Sequence, residues 1–158
     1  MSNPDLWTFA LACYARPGVE AACLKLQSQG ADVCLLLCAT WLQMRGVAYD
    51  TDRRDALEQR ATPWRQHVIQ PLRGLRQDWR PLAEQDAALH KLREALKTLE
   101  LEAERNLLER LQAASSQWPA DGGTDEWLDS LAPVDGCRAA LETLRCAAAQ
   151  TQLELDGS

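Results

Sequence analysis

The most restrictive feature of the sequence is a run of seven apolar residues, Val33-Cys34-Leu35-Leu36-Leu37-Cys38-Ala39, which leaves no polar face in any regular structure. The run is much too short to cross a bilayer, since a membrane-spanning helix needs about 20 apolar residues. Asp32 can cap a helix that starts at the run, and Gly46 can end it. A helix that is apolar on every side must be surrounded by other elements. The sequence therefore predicts that residues 33–45 form the central helix of a bundle.

The remaining composition favours helices over strands. Ala, Leu, Glu, Gln and Arg are abundant, whereas Phe and Ile occur only once each. We predict an all-α chain, a single compact helical bundle of about five to six helices with a long helix near residues 82–116. The bundle domain is expected over residues 1–116, followed by an acidic linker over 117–133 and a C-terminal helix or tail over 134–158.

Charge is distributed unevenly along the chain, whose net charge is −6. Residues 51–80 contain seven arginines and four acidic residues, and residues 100–158 contain four basic and twelve acidic residues. An acidic chain repels nucleic acid and anionic lipid except where its basic groups are concentrated. The basic middle of the chain is therefore the surface on which a binding function is expected, and we expect no membrane partner.

The arginines of this middle segment recur at helical spacing. Thr62-Pro63 resembles a helix start, and Trp79-Arg80-Pro81 resembles a break, because the residue before a proline resists helix. On a regular helix between them, four arginines fall within about 80° of the circumference, with an apolar stripe beside them. The candidate partner-binding residues are Arg65, Arg73, Arg76, Arg80, Trp64 and Trp79.

Two functions are compatible with such a stripe, and so is a purely structural role. The favoured hypothesis is a non-enzymatic protein-interaction or regulatory module that binds an acidic protein partner, because the arginine fork matches carboxylates. A second is a binder of anionic ligands or nucleic acid, gated by the chain's own acidic tail. Specific nucleic-acid reading is not expected, because few aromatic residues lie in register for base stacking. The arginines are also expected to be solvated or paired within the chain if they have no binding role.

No catalytic, cofactor-binding or metal-ligating motif is present in the sequence. The two histidines, His67 and His90, lie outside any metal-binding spacing, and no phosphate-binding glycine loop occurs. None of the six cysteines forms a C-x-x-C pair, so buried, reduced thiols are expected. An enzyme that uses a buried carboxylate or thiol, near Asp32 or Cys34, is the third hypothesis.

The chain also resembles a known family over roughly its first two thirds. The residues that carry the likeness are Trp7, Tyr14, Pro17-Gly18-Val19, Ala22-Cys23-Leu24, Leu26-Gln27, Gly30, Asp32-Val33, Leu35-Leu36-Leu37 and Trp41, followed by Trp64, Pro71-Leu72-Arg73, Arg76 and Glu102-Ala103-Glu104-Arg105. This pattern is similar to an uncharacterised proteobacterial family of about this length, over roughly residues 5–110. The family has no assigned activity, so the resemblance implies only a bacterial, cytoplasmic setting.

Overall fold

The computed structural model describes residues 5–122, 126–132 and 137–157. Within these ranges the chain is built from helices and contains no strand, which confirms the predicted all-α class. The elements are α1 (Leu6–Tyr14), α2 (Val19–Ser28), α3 (Val33–Met44), α4 (Thr51–Trp64), a π-helical turn (Arg65–Ile69), α5 (Gln70–Ala83), α6 (Ala87–Ser115), α7 (Glu126–Leu131) and α8 (Arg138–Asp156).

Helix α3 lies at the centre of the bundle, as its sequence predicts. Its residues from Cys34 to Gln43 are all buried, and α1, α2, α4, α6, α7 and α8 pack around it. Asp32 caps the helix, because its side chain accepts a hydrogen bond from the backbone N–H of Leu35. The helix ends before Gly46, whose φ of +76° is the left-handed conformation that favours glycine.

Helices α4 and α5 form one continuous rod, which corrects two predicted boundaries. Pro63 lies inside α4 rather than at a helix start, and Pro81 lies inside α5, which runs on to Ala83. The rod survives its prolines because both halves pack along α6. In the π turn the N–H of Gln70 bonds to the carbonyl of Arg65, five residues back. A wider turn here relieves the clash that the ring of Pro71 would make with the preceding turn of a regular helix.

The long helix α6 begins later than predicted and projects beyond the core at its first half. Asp86 is its N-cap and accepts a hydrogen bond from the N–H of Leu89, so the helix starts at Ala87 rather than near residue 82. The leucines of this helix differ in exposure: Leu92 and Leu99 are 59% and 55% exposed. The buried apolar positions, which concentrate in the second half, are Leu96, Ala103, Leu107, Leu108 and Leu111.

The described residues beyond 116 pack against the bundle. Helix α7 lies within the segment predicted as a linker, and its Trp127 is fully buried with its indole N–H donating to the carbonyl of Val47. Helix α8 packs on α1, α2 and α3 through Leu144, Ala147 and Ala148. No helix in the described part of the chain combines the length and apolar character that membrane crossing requires.

Candidate functional site

A cavity of about 710 Å³ lies between α1, α2, α3, the π turn with α5, and α6. Its floor consists of buried side chains, among them those of Leu37, Ile69 and Leu108. Exposed residues such as Leu11 and Leu101 stand at its opening. The volume lies within the range of cavities that hold a small organic molecule, about 300–1,000 Å³.

One ion pair joins the start of α3 to the rod at the edge of this cavity. Arg65, in the π turn, donates from Nη1 to Oδ2 of Asp32 over 2.7 Å. The Asp32 side chain is only 7% exposed, and its other oxygen already caps α3. Asp32 therefore fixes the helix start and the position of the Arg65 guanidinium together.

A second charged cluster joins α5 to α6 and contains Arg73, Arg76, Glu100 and Glu104. Arg76 Nε lies 2.5 Å from Glu100 Oε1, and Arg73 Nε lies 3.3 Å from Glu100 Oε2. Arg73 Nη2 also lies 3.5 Å from Glu104 Oε1. The amide of Gln27, with its oxygen toward α5, accepts a further hydrogen bond from Arg73. Burial, together with the neighbouring charge of Glu100, raises the pKa of Glu104 above its usual value.

The four arginines of the predicted stripe thus have different environments. Arg65 and Arg73 line the cavity, Arg76 pairs with Glu100, and Arg80 is exposed near the end of α5. Arg65 forms an ion pair with Asp32, and both Arg73 and Arg76 form ion pairs with Glu100. Arg73 also pairs with Glu104.

The two candidate tryptophans are half-buried and also differ in their contacts. The indole N–H of Trp64 donates to the carbonyl of Ala103, and the guanidinium of Arg110 covers its ring at 3.8 Å. These contacts fasten α4 to α6. Trp79 lies near the end of α5, next to Arg80.

The thiols at this site are held in their neutral form. Burial and the nearby Asp32 and Glu104 carboxylates raise the pKa of Cys34, and burial raises that of Cys23 to about 12. A thiol at neutral pH is a poor nucleophile. Tyr14, at the opening, is held as a phenol because burial, with neighbouring negative charge, raises its pKa to about 12. No group of three or more His, Cys, Asp or Glu side chains is placed to hold a metal ion among the residues that the structure describes.

Several cavity residues are not among the predicted site residues, and Gly74 is the most informative of them. It lies within α5, faces the cavity, and a Cβ built on it would meet no atom within 4 Å. The lining of the cavity also includes Gln27, Gln70 and Gln77. A glycine inside a helix is a detectable sequence signal, because glycine destabilises helices and needs a reason to be there.

These features define an all-α bundle protein with a cavity of ligand size between its helices. The chain belongs to the family described as Protein of unknown function (DUF2390), whose profile matches residues 5–111. Every lining residue of the cavity, from Trp7 to Leu108, falls within this range. No curated protein and no solved structure matches the chain significantly.

Proposed function

We propose that this protein binds a small organic anion in the cavity between α1, α2, α3, α5 and α6. The observation that carries the proposal is a cavity of about 710 Å³ with two arginines in its lining and apolar side chains at its floor. An apolar wall with a few placed polar groups is the usual form of a small-molecule site.

The polar groups of the lining favour an anionic end on the ligand. The hydrogen bond to Asp32 uses the Nη1 group of Arg65, and a guanidinium has five N–H donors. Asp32 holds this arginine in place before any ligand arrives, so little side-chain freedom is lost on binding. Gln70 and Gln77 are exposed at the opening and supply further amide donors.

The apolar groups of the lining favour a ligand with an apolar body. Trp7, Leu11 and Leu101 form walls near the opening, and Leu37 and Leu108 close the floor. The empty volume beside Gly74 extends this space along α5. Burial of a ligand's apolar surface here would contribute about 25 cal/mol per Å² before the costs of association.

The neutral state of the cavity thiols favours binding over catalysis. The raised pKa values of Cys23 and Cys34 keep both as thiols at neutral pH. Asp32 is engaged with Arg65 and with the start of α3. These observations on Asp32 and Cys34, the two groups on which the enzymatic hypothesis rests, support a binding function over a catalytic one.

The proposal is tested with anilinonaphthalene sulfonate (ANS), a fluorescent anion with an apolar aromatic body. We expect saturable binding to the wild-type protein and to Gly74→Ala, which leaves most of the space open. Gly74→Leu places a larger side chain in the same space and is expected to weaken binding at least about tenfold, which is about 1.4 kcal/mol. Equal affinity of the Ala and Leu variants would contradict binding in this cavity.

The sign of the ligand's charge is tested at Gln77, which is exposed at the opening. Gln77→Lys should strengthen ANS binding and Gln77→Glu should weaken it, each by a few-fold and less at high salt, since exposed charges are screened. Far-UV circular dichroism checks that both variants keep the wild-type helix content. Identical affinities would show that the site does not select an anion.

A protein-interaction module remains the second candidate, and it is favoured by the exposed surface near the end of α5. Arg80 is exposed there, and Leu75 and Leu82 are 43% and 60% exposed. Leu75 also lies on a shallow groove between α5 and α6 whose lining includes Trp64 and Leu99. An acidic protein segment with apolar anchors suits this surface.

The test of this candidate must spare Arg73 and Arg76, because both hold the buried carboxylate of Glu100. Arg80→Glu is the appropriate change, with the exposed Lys91→Glu as a matched control on α6. A partner captured at low salt should be lost with the Arg80 variant and kept with the Lys91 variant. If both variants capture the partner as well as the wild-type protein does, this surface is not the binding site.

A bacterial cytoplasmic setting is part of the proposal. All six cysteines are free thiols and five of them are buried. Unpaired cysteines are usual in a reducing compartment.

A further inference from the structure

The charged cluster at the edge of the cavity holds its two carboxylates unequally. Glu100 is 8% exposed and accepts hydrogen bonds from both Arg73 and Arg76. Glu104 is 30% exposed, lines the cavity, and its ion pair with Arg73 is 3.5 Å long. Glu104 is therefore the partner of Arg73 that an arriving anion can replace at least cost.

The charges around Glu104 make such a replacement dependent on a proton. Arg73 and Arg76 act on it from α5, and Glu100 acts on it from one turn earlier in α6. The phenol of Tyr14 in α1 and the thiol of Cys34 in α3 also lie within its electrostatic reach, and both are neutral. Two arginines balance two carboxylates, so a ligand anion adds one uncompensated negative charge at a partly buried site. A proton on Glu104 removes that excess.

We propose that the anionic group of the ligand replaces Glu104 beside Arg73 and that Glu104 takes up one proton from the solvent as this happens. The inference rests on the proposed function, since it concerns the same cavity. The ligand class is an organic anion with an apolar body, such as a carboxylate or a sulfonate. The ion pair between Arg73 and Glu104 is broken, a new one forms between Arg73 and the ligand, and Glu104 becomes a neutral acid. The raised pKa of Glu104 lowers the cost of this protonation.

Isothermal titration calorimetry with ANS measures the proton directly. The sulfonate stays ionised over the whole pH range of the experiment, so any proton taken up belongs to the protein. The observed enthalpy is compared among buffers with different ionisation enthalpies, and the slope gives the number of protons bound per ligand. We expect uptake of up to one proton, with affinity rising up to about tenfold per unit as the pH falls from neutral.

Glu104→Gln supplies a permanently neutral side chain of the same shape. We expect this variant to bind ANS more tightly than wild type at neutral pH and to take up no proton. Glu94→Gln is the matched control, because Glu94 is an exposed carboxylate of the same helix that pairs with Lys97. This control should keep the wild-type uptake.

The possible outcomes separate the inference from the proposed function. Binding that fills the cavity, as judged by Gly74→Leu, but that exchanges no proton and is unchanged in Glu104→Gln would overturn this inference alone. Proton uptake that persists in Glu104→Gln would also overturn it. Absence of cavity binding in the wild-type protein would overturn both proposals.

Discussion

Two glycines that line the cavity should respond to alanine in opposite directions. A Cβ added at Gly74 or at Gly30 meets no atom within 4 Å, so packing contributes almost nothing to either substitution. Their backbones differ: Gly74 lies within α5, whereas Gly30 follows α2 with a φ of +96°. The comparison therefore isolates backbone conformation at two sites with the same open surroundings.

The expected magnitudes follow from backbone conformation. Gly74→Ala should raise the free energy of unfolding by about 0.5–1 kcal/mol, because alanine is the better helix former and loses less freedom on folding. For a chain of this size this corresponds to a melting temperature about 1–4 °C higher. Gly30→Ala should lower the free energy of unfolding by about 1 kcal/mol, since a left-handed conformation costs other residues about 1–2 kcal/mol.

Urea unfolding followed by circular dichroism gives both values, with the thermal midpoint as a second readout. Changes of the same sign in the two variants would refute the reasoning. Loss of stability in Gly74→Ala would mean that the space beside this glycine is not open. If the Gly74→Ala variant is more stable and still binds ANS, the glycine is not needed for folding, and an alanine side chain at this position leaves enough space in the cavity for the ligand.

Three further predictions follow from the other groups at the site. Asp32→Ala should lower the free energy of unfolding by about 1–3 kcal/mol, because it removes both the cap of α3 and the partner of Arg65. Asp32→Asn can still cap α3 and should lower the free energy of unfolding less. Equal decreases for the two variants in urea unfolding would show that capping contributes nothing. Five cysteines are buried and Cys146 is exposed, so a thiol reagent should modify one thiol rapidly in the native protein and six in denaturant; several fast thiols would contradict this burial. The pKa of Glu104 is higher in the folded protein than its unfolded value near 4.5, so this residue contributes most to stability below pH 4.5 and less as the pH rises through its folded pKa. Glu104→Gln should therefore gain stability relative to wild type between about pH 4.5 and 7. A constant difference between the two proteins in urea unfolding across that range would contradict the assigned cause.

The central architecture could be predicted because it is encoded locally. The uninterrupted apolar run of α3 has only one stable environment, and Asp32 marks its start through a contact three residues away. The short connection between α2 and α3 is likewise marked in the sequence by Gly30, which adopts a φ of +96°. These features are determined by residues close together in the sequence, so they do not depend on how the other helices are arranged.

The path of the rod could not be predicted, because tertiary packing overrides its local signals. Pro63 and Pro81 are read as helix boundaries, yet both lie within helices that pack along α6. The π turn adds roughly one residue to a helical turn, which rotates everything after it by about 100° relative to a regular helix. This rotation brings Arg73, rather than Arg76, closest to Arg65 around the helix, and Arg65 and Arg73 are the two stripe arginines that line the cavity.

The candidate site could be predicted only in part for the same reason. Helical periodicity identifies the arginines as a group, and Asp32 is recognisable as a carboxylate next to an apolar helix. The pairing of Arg73 and Arg76 with Glu100 joins residues from two helices, and no local pattern specifies it. The cavity itself is a product of how five elements meet, so only the unexplained glycine within α5 marks it in the sequence.

The most direct test of the account is an amide NMR titration of the labelled full chain with ANS. The backbone amides of Gly74, Gly30 and Gln77 report from the lining of the cavity, and those of Leu92 and Leu99 report from the exposed face of α6. Saturable shifts concentrated at the first group are the predicted result. Shifts confined to the second group, or no saturable shift at any amide, would contradict the claim that this cavity is a ligand site.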